Sequence, residues 1–132
     1  MRTVPKGAKD DDVLAVVREW VDLLAAGDHG QAHSLLNNDQ VEKEWPPERV
    51  EKVISAYKPP AGVTPVAGAK AGAESPQQVI SRWEPRERRP DVVGEVQFDL
   101  PIGGTWSELT ATFWIREQGG ALSLELYDIH AF

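Results

Sequence analysis

The chain has 132 residues, 41% of them hydrophobic, with five Trp and no Cys. That length suits one domain able to bury roughly two thirds of its unfolded surface, and the lack of Cys excludes disulfides, thiolate nucleophiles and Cys-ligated zinc. A formal net charge of −7 repels phosphate backbones, so nucleic acid is not an expected partner.

The N-terminal "MRTVPKGAKDDD" lacks the apolar core of a secretory signal. No apolar run approaches the about 20 residues of a membrane helix, so a soluble, cytoplasmic protein is expected. Asp10, Asp11 and Asp12 supply an N-cap and negative charge at the positive end of a helix dipole. Val13, Val16, Val17, Trp20, Val21 and Leu24 then recur at helical spacing, and Gly27 ends the helix. Asp28 follows, with Gln31 three residues on, the spacing of a capping box that opens a second helix over Ala32, Leu35 and Leu36. His29 and His33 share one side of this helix. Two ligands are too few for a specific metal site, and Gly30 stands where a zinc protease needs Glu, so no metal is expected.

"EWPPERVEKVISAY" predicts a third helix, with Pro in its first turn and Val50, Val53, Ile54 and Tyr57 on one face. The helices thus cover about residues 11–57. The Gly, Ala and Pro of "PPAGVTPVAGAKAGAESP" predict a mobile loop over about 59–76, with at most a short strand from Val63 to Val66. From Gln77 the period changes to two, and an antiparallel sheet of about four strands is expected over about 77–131. "DVVGEVQFDL" alternates Val96, Phe98 and Leu100 against Glu95, Gln97 and Asp99. "TWSELTATFWIRE" puts Leu109, Ala111, Phe113 and Ile115 on one face and Thr110, Thr112, Trp114 and Arg116 on the other. "PIGG" and "QGG" supply turns, and "ALSLELYDIHAF" forms the last strand. Helices followed by such a sheet make one α+β domain spanning 1–132.

The stretch "LLAAGDHGQAHSLL" resembles the first hinge of the NTF2-like (cystatin-like) superfamily, where a Gly-Asp step opens the second helix. The length and the late meander fit as well, so the resemblance covers most of the chain. It implies a cone, in which a curved sheet wraps the long helix and leaves a pocket at its open end. The superfamily includes isomerases, dehydratases, small-ligand binders, transport adaptors and toxin-immunity proteins, so fold does not choose among them. The enzymatic branches rely on Asp, Tyr or His projecting into the cone, and no position of this chain matches such a motif.

Strict alternation in the last strand would place Asp128 and His130 on the face of Leu122, Leu124 and Leu126, poised for acid/base work with Tyr57 or Tyr127 nearby. A β-bulge near Tyr127 would instead turn Tyr127 and Ile129 inward and send Asp128 and His130 to solvent. On the opposite sheet face, an exposed Trp114 beside Thr110 and Thr112 suits a docking surface or a second subunit. Alternatively, the Arg-rich segment "RWEPRERRP" covers that Trp and leaves a monomer. Arg82 and Arg86 of this segment belong either to a solvated loop or to a partner-docking edge.

A non-enzymatic protein-binding module, with the immunity type as one case, is the expectation on these grounds. A protein partner or homodimer is expected ahead of a small ligand, with no cofactor. The rival is a small-molecule binder or enzyme using the cone. A cone filled by Trp20, Trp83 and Phe113 favours the module, whereas Asp128, His130, Tyr57 and Tyr127 converging in a pocket favours the rival.

Overall fold

The computed structural model describes residues 1–57, 78–84, 88–102 and 105–131. The expected loop over 59–76, its short strand, Arg86 and the Gly103–Gly104 turn lie outside these residues. The elements run β1 (Val4–Pro5), α1 (Asp10–Ala25), α2 (His29–Leu35), α3 (Pro47–Tyr57), β2 (Gln78–Arg82), β3 (Val92–Ile102), β4 (Thr105–Gln118) and β5 (Ala121–Ala131). This is the expected α+β architecture, with three helices packed against an antiparallel sheet curled through 217° into a half-barrel. Among the described residues no helix is long and apolar enough to cross a membrane.

Helix α1 starts one residue earlier than the Asp run suggests. Lys9 takes the N-cap position, and its backbone N–H donates to the Asp12 carboxylate at 3.2 Å. The three Asp fill the first turn, where the helix dipole favours them. At the other end Gly27 adopts φ +77°, which only glycine reaches without strain. Its N–H donates to Leu24 O and that of Asp28 to Leu23 O, the paired bonds of a Schellman cap. Asp28 then accepts from the backbone N–H of Gln31 and opens α2, so one dipeptide closes one helix and starts the next.

The strand order is β1-β5-β4-β3-β2. The fifth strand, β1, lay beyond the expected four: Val4 and Pro5 pair with Leu122 and Ala121 of β5. Two residues carry too little pattern to read, and Pro belongs at such an edge. β4 and β5 meet through Gly119 and Gly120, at φ +60° and +80°, the left-handed pair that a tight hairpin turn demands. Gly94 of β3 lies so close to β2 that a Cβ there would strike the Ser81 carbonyl.

The helix-facing side of the sheet is apolar. Val96, Phe98 and Leu100 meet Leu109, Ala111, Phe113 and Ile115, together with Leu122, Leu124, Leu126 and Ile129. Trp20 of α1 drives into this face and meets the Phe113 ring edge-on at 5.1 Å. Among the described residues these side chains pack the concave side of the sheet. Between Trp20, His29, His33, Trp45 and Val50 lies a void of about 10 Å³, about one water's worth.

Candidate functional site

The chemistry gathers on the other face of the sheet. In β4, Thr110, Thr112, Trp114 and Arg116 alternate with the core residues, and in β5 Ser123 and Glu125 lie on that same side; all six are buried. Of the two readings of Trp114, the exposed one is corrected and the covered one stands. Trp114 is only 8% accessible, flanked by the rings of Trp83 at 5.6 Å and Tyr127 at 4.3 Å. Of these two rings, Trp83 comes from the Arg-rich segment and Tyr127 from β5. Trp83, expected as a filler of the cone, stands on this opposite side instead.

The last strand is bulged at Tyr127. Thr112 pairs with Asp128 and Phe113 with Leu126, so Tyr127 is the extra residue. Cross-strand partners share a face, and Asp128 and His130, opposite Thr112 and Thr110, therefore point away from the core while Ile129 points into it. The expected inward turn of Tyr127 does not occur, because its ring lies on Trp114. His130 Nδ1 and Asp128 Oδ2 lie 2.6 Å apart. Tyr57 is elsewhere: it packs against the helix-side core, and its hydroxyl accepts from the backbone N–H of Glu108 at 3.3 Å. The four candidate acid/base residues do not converge.

Register extends this polar row across the sheet. Gln97, Thr112 and Asp128 form one line, and Asp99, Thr110 and His130 the next. Asp99 is 4% accessible, and its described partner is the Thr110 hydroxyl, which donates at 2.8 Å. Burial pushes the Asp99 carboxyl up; the Thr110 bond opposes that and the nearby Glu108 charge adds to it.

Next to the row is a buried ion network that pattern reading did not find. Glu125, wholly inaccessible, receives Arg89 Nη2 at 2.8 Å and Arg116 Nη1 at 3.2 Å. Arg116, 2% accessible, also reaches Asp91 at 2.7 Å and donates to the Asp39 carbonyl. Burial alone would raise the Asp91 carboxyl, but the Arg116 hydrogen bond and the two guanidinium charges hold it below the usual carboxylate range. Arg89 in turn is raised, chiefly by its bond to Glu125. A signal for this existed. Counting back from the "QGG" hairpin puts Arg116 opposite Ser123 and Trp114 opposite Glu125, so Arg116 and Glu125 are diagonal neighbours on one face.

The network also fastens residues 37–45 along β5 as a strap. Asn37 N–H donates to Leu124 O, Glu42 N–H to the Glu125 carboxylate, and Trp45 Nε1 to Tyr127 O. An exposed strand edge is thereby satisfied without a further strand. Two cations lie on aromatic rings at the end of the strap: Lys43 over Tyr127 at 4.7 Å and Arg49 over Trp45 at 4.1 Å.

The remaining candidates are peripheral. Arg82 pairs with Asp10 at 2.9 Å and bonds the Ala8 carbonyl, tying β2 to the start of α1. His29 and His33 line the small void beside α2, and among the described residues no three His, Asp or Glu are grouped to hold a metal. Comparison of the chain with protein-family models, with curated proteins and with solved structures gives no match.

Proposed function

We propose that the chain is a non-enzymatic protein-binding module of NTF2-like type, and that it docks its partner on the sheet face away from the helices. The observation that carries this reading is the filled half-barrel. Among the described residues, Trp20 and Phe113 pack its concave side. The Asp128–His130 pair and the half-buried rings of Trp83 and Tyr127 stand on the opposite side. Aromatic rings beside a polar rim are the usual composition of a protein interface. The net charge of −7 suits a basic partner, and an immunity-type role, in which an acidic module covers a basic toxin domain, is the case it fits.

A photo-crosslinking amino acid at position 127, compared with one at Asp11 on the exposed side of α1, tests the reading in the host cell. We expect a covalent protein adduct from position 127 and none from position 11. Adducts from position 11 alone, or a small molecule retained in native mass spectrometry without any protein adduct, would overturn it.

A further inference from the structure

The two cation–ring contacts at the end of the strap share an architecture. Tyr127, on the bulge, and Trp45, at the end of the strap, are joined because the Trp45 indole N–H donates to the Tyr127 carbonyl at 2.9 Å. Each ring carries a cation from the chain itself, but the Trp45 ring is 5% accessible and belongs to the core, whereas the Tyr127 ring is half-buried. Lys43 and Arg49 are both exposed side chains. Arg49 also donates to the Glu44 carbonyl at 2.6 Å, which fixes it in place. Lys43 is held by the ring contact, weakly enough to be exchanged for another cation.

The surroundings favour positive charge. Lys43 lies between Glu42 and Glu44 in the strap, Glu48 opens α3, and Asp128 follows Tyr127. Lifting Lys43 off the Tyr127 ring would leave an aromatic face on a part of the chain rich in carboxylates. Such a face recognises ammonium and guanidinium groups, and an anion would find no comparable welcome.

Resting on the module reading above, we propose that the Tyr127 ring is a recognition site for a basic side chain of the partner, and that Lys43 occupies it within the free chain. Binding exchanges the internal cation for the partner's. Lys43 therefore competes with the partner and sets its affinity. The ordinary role of long basic side chains, covering apolar surface while keeping their charge in water, predicts no such competition.

Fluorescence anisotropy of labelled octalysine, titrated with the full chain, separates the two. Lys43→Gln empties the Tyr127 face, and Lys9→Gln, at the start of α1, makes the same charge change elsewhere. We expect Lys43→Gln to bind octalysine about fivefold more tightly than Lys9→Gln, the scale of one partly exposed cation–ring contact. Tyr127→Leu should bind about fivefold more weakly than the unmodified chain, and Tyr127→Phe, which keeps the ring, should bind like it. Equal affinity of the two Lys variants, or Tyr127→Phe falling as far as Tyr127→Leu, overturns the proposal, as does tighter binding of octaglutamate than of octalysine. A protein adduct from position 127 with no discrimination among these variants would retire the cation site and leave the module reading standing.

Discussion

The two faces of the sheet bury their side chains by opposite means, the inner face throughout and the outer face in part. Toward the helices, β4 presents Leu109, Ala111, Phe113 and Ile115 to a wholly apolar core. Away from them, one residue out of step, it presents Thr110, Thr112, Trp114 and Arg116, also buried. The first face is held by loss of apolar surface, which is non-directional and tolerates rearrangement. The second is held by Arg116, Glu125, Arg89 and Asp91, whose bonds fail if the strands slip by one residue. The lesson is a division of roles: area stabilises the half-barrel, and the ion network fixes the strap and the 88–91 segment in register on it.

The largest expected effect is on the apolar side. Trp20→Ala should cost about 3–5 kcal/mol in denaturant unfolding, because the Phe113 ring loses its partner and a large cavity remains. A loss below about 1 kcal/mol would show that the interior can collapse around the gap.

Next comes Glu125→Leu. It removes the buried carboxylate that Arg116 and Arg89 share and leaves Asp91 as the one carboxylate common to both, and about 3 kcal/mol should be lost. Adding Arg116→Met should restore part of that stability, since a packed apolar pair replaces the buried Arg116–Glu125 pair while Asp91 keeps Arg89 at 3.7 Å. If the network fixes the strap, the double variant should still lose hydrogen-exchange protection at the Asn37 and Glu42 amides. Full protection there would break the division of roles drawn above.

The smallest effect is at Asp99, whose folded carboxyl is raised by burial. A raised carboxyl favours the protonated folded state, so its contribution is present at low pH and is lost as pH rises through the folded value. Asp99→Asn keeps an acceptor for Thr110 and carries no charge. It should match the original chain in acid and become slightly more stable as pH rises above the usual carboxylate range. Asp91, held low by Arg116 and Arg89, has the opposite sign. Its stabilisation is present at neutral pH and fades only as pH falls through its depressed value. Thermal melts across pH 3–8 on Asp99→Asn and Asp91→Asn should therefore diverge in opposite directions toward neutrality.

Much of this was legible in the chain. The heptad-like apolar stripe of α1, the Gly27-Asp28 hinge and the "QGG" hairpin rest on contacts within a few residues, so local patterns specify them. The period-two alternation of β3 and β4 correctly separated core residues from their neighbours. The candidate site was less legible. Nothing local says that Trp114 is covered, because its covers come from Trp83 and Tyr127 on other strands or segments. Bulge and strict alternation in β5 were both compatible with the sequence; pairing with Thr112 and Phe113 decides for the bulge, and the Trp114 ring decides where Tyr127 goes.

What the sequence by itself determined is therefore the set of elements and the apolar side of each, since helix caps, turn glycines and periodicity act over a few residues. Only the tertiary structure decided what lies on the second side of the sheet. Glu42, Arg89, Arg116 and Glu125 come from four separate segments, and a charge reads as exposed until its partners are brought to it. Burial of that charge is a property of the assembled half-barrel, because only there do the strap and the 88–91 segment supply the bonds that replace water.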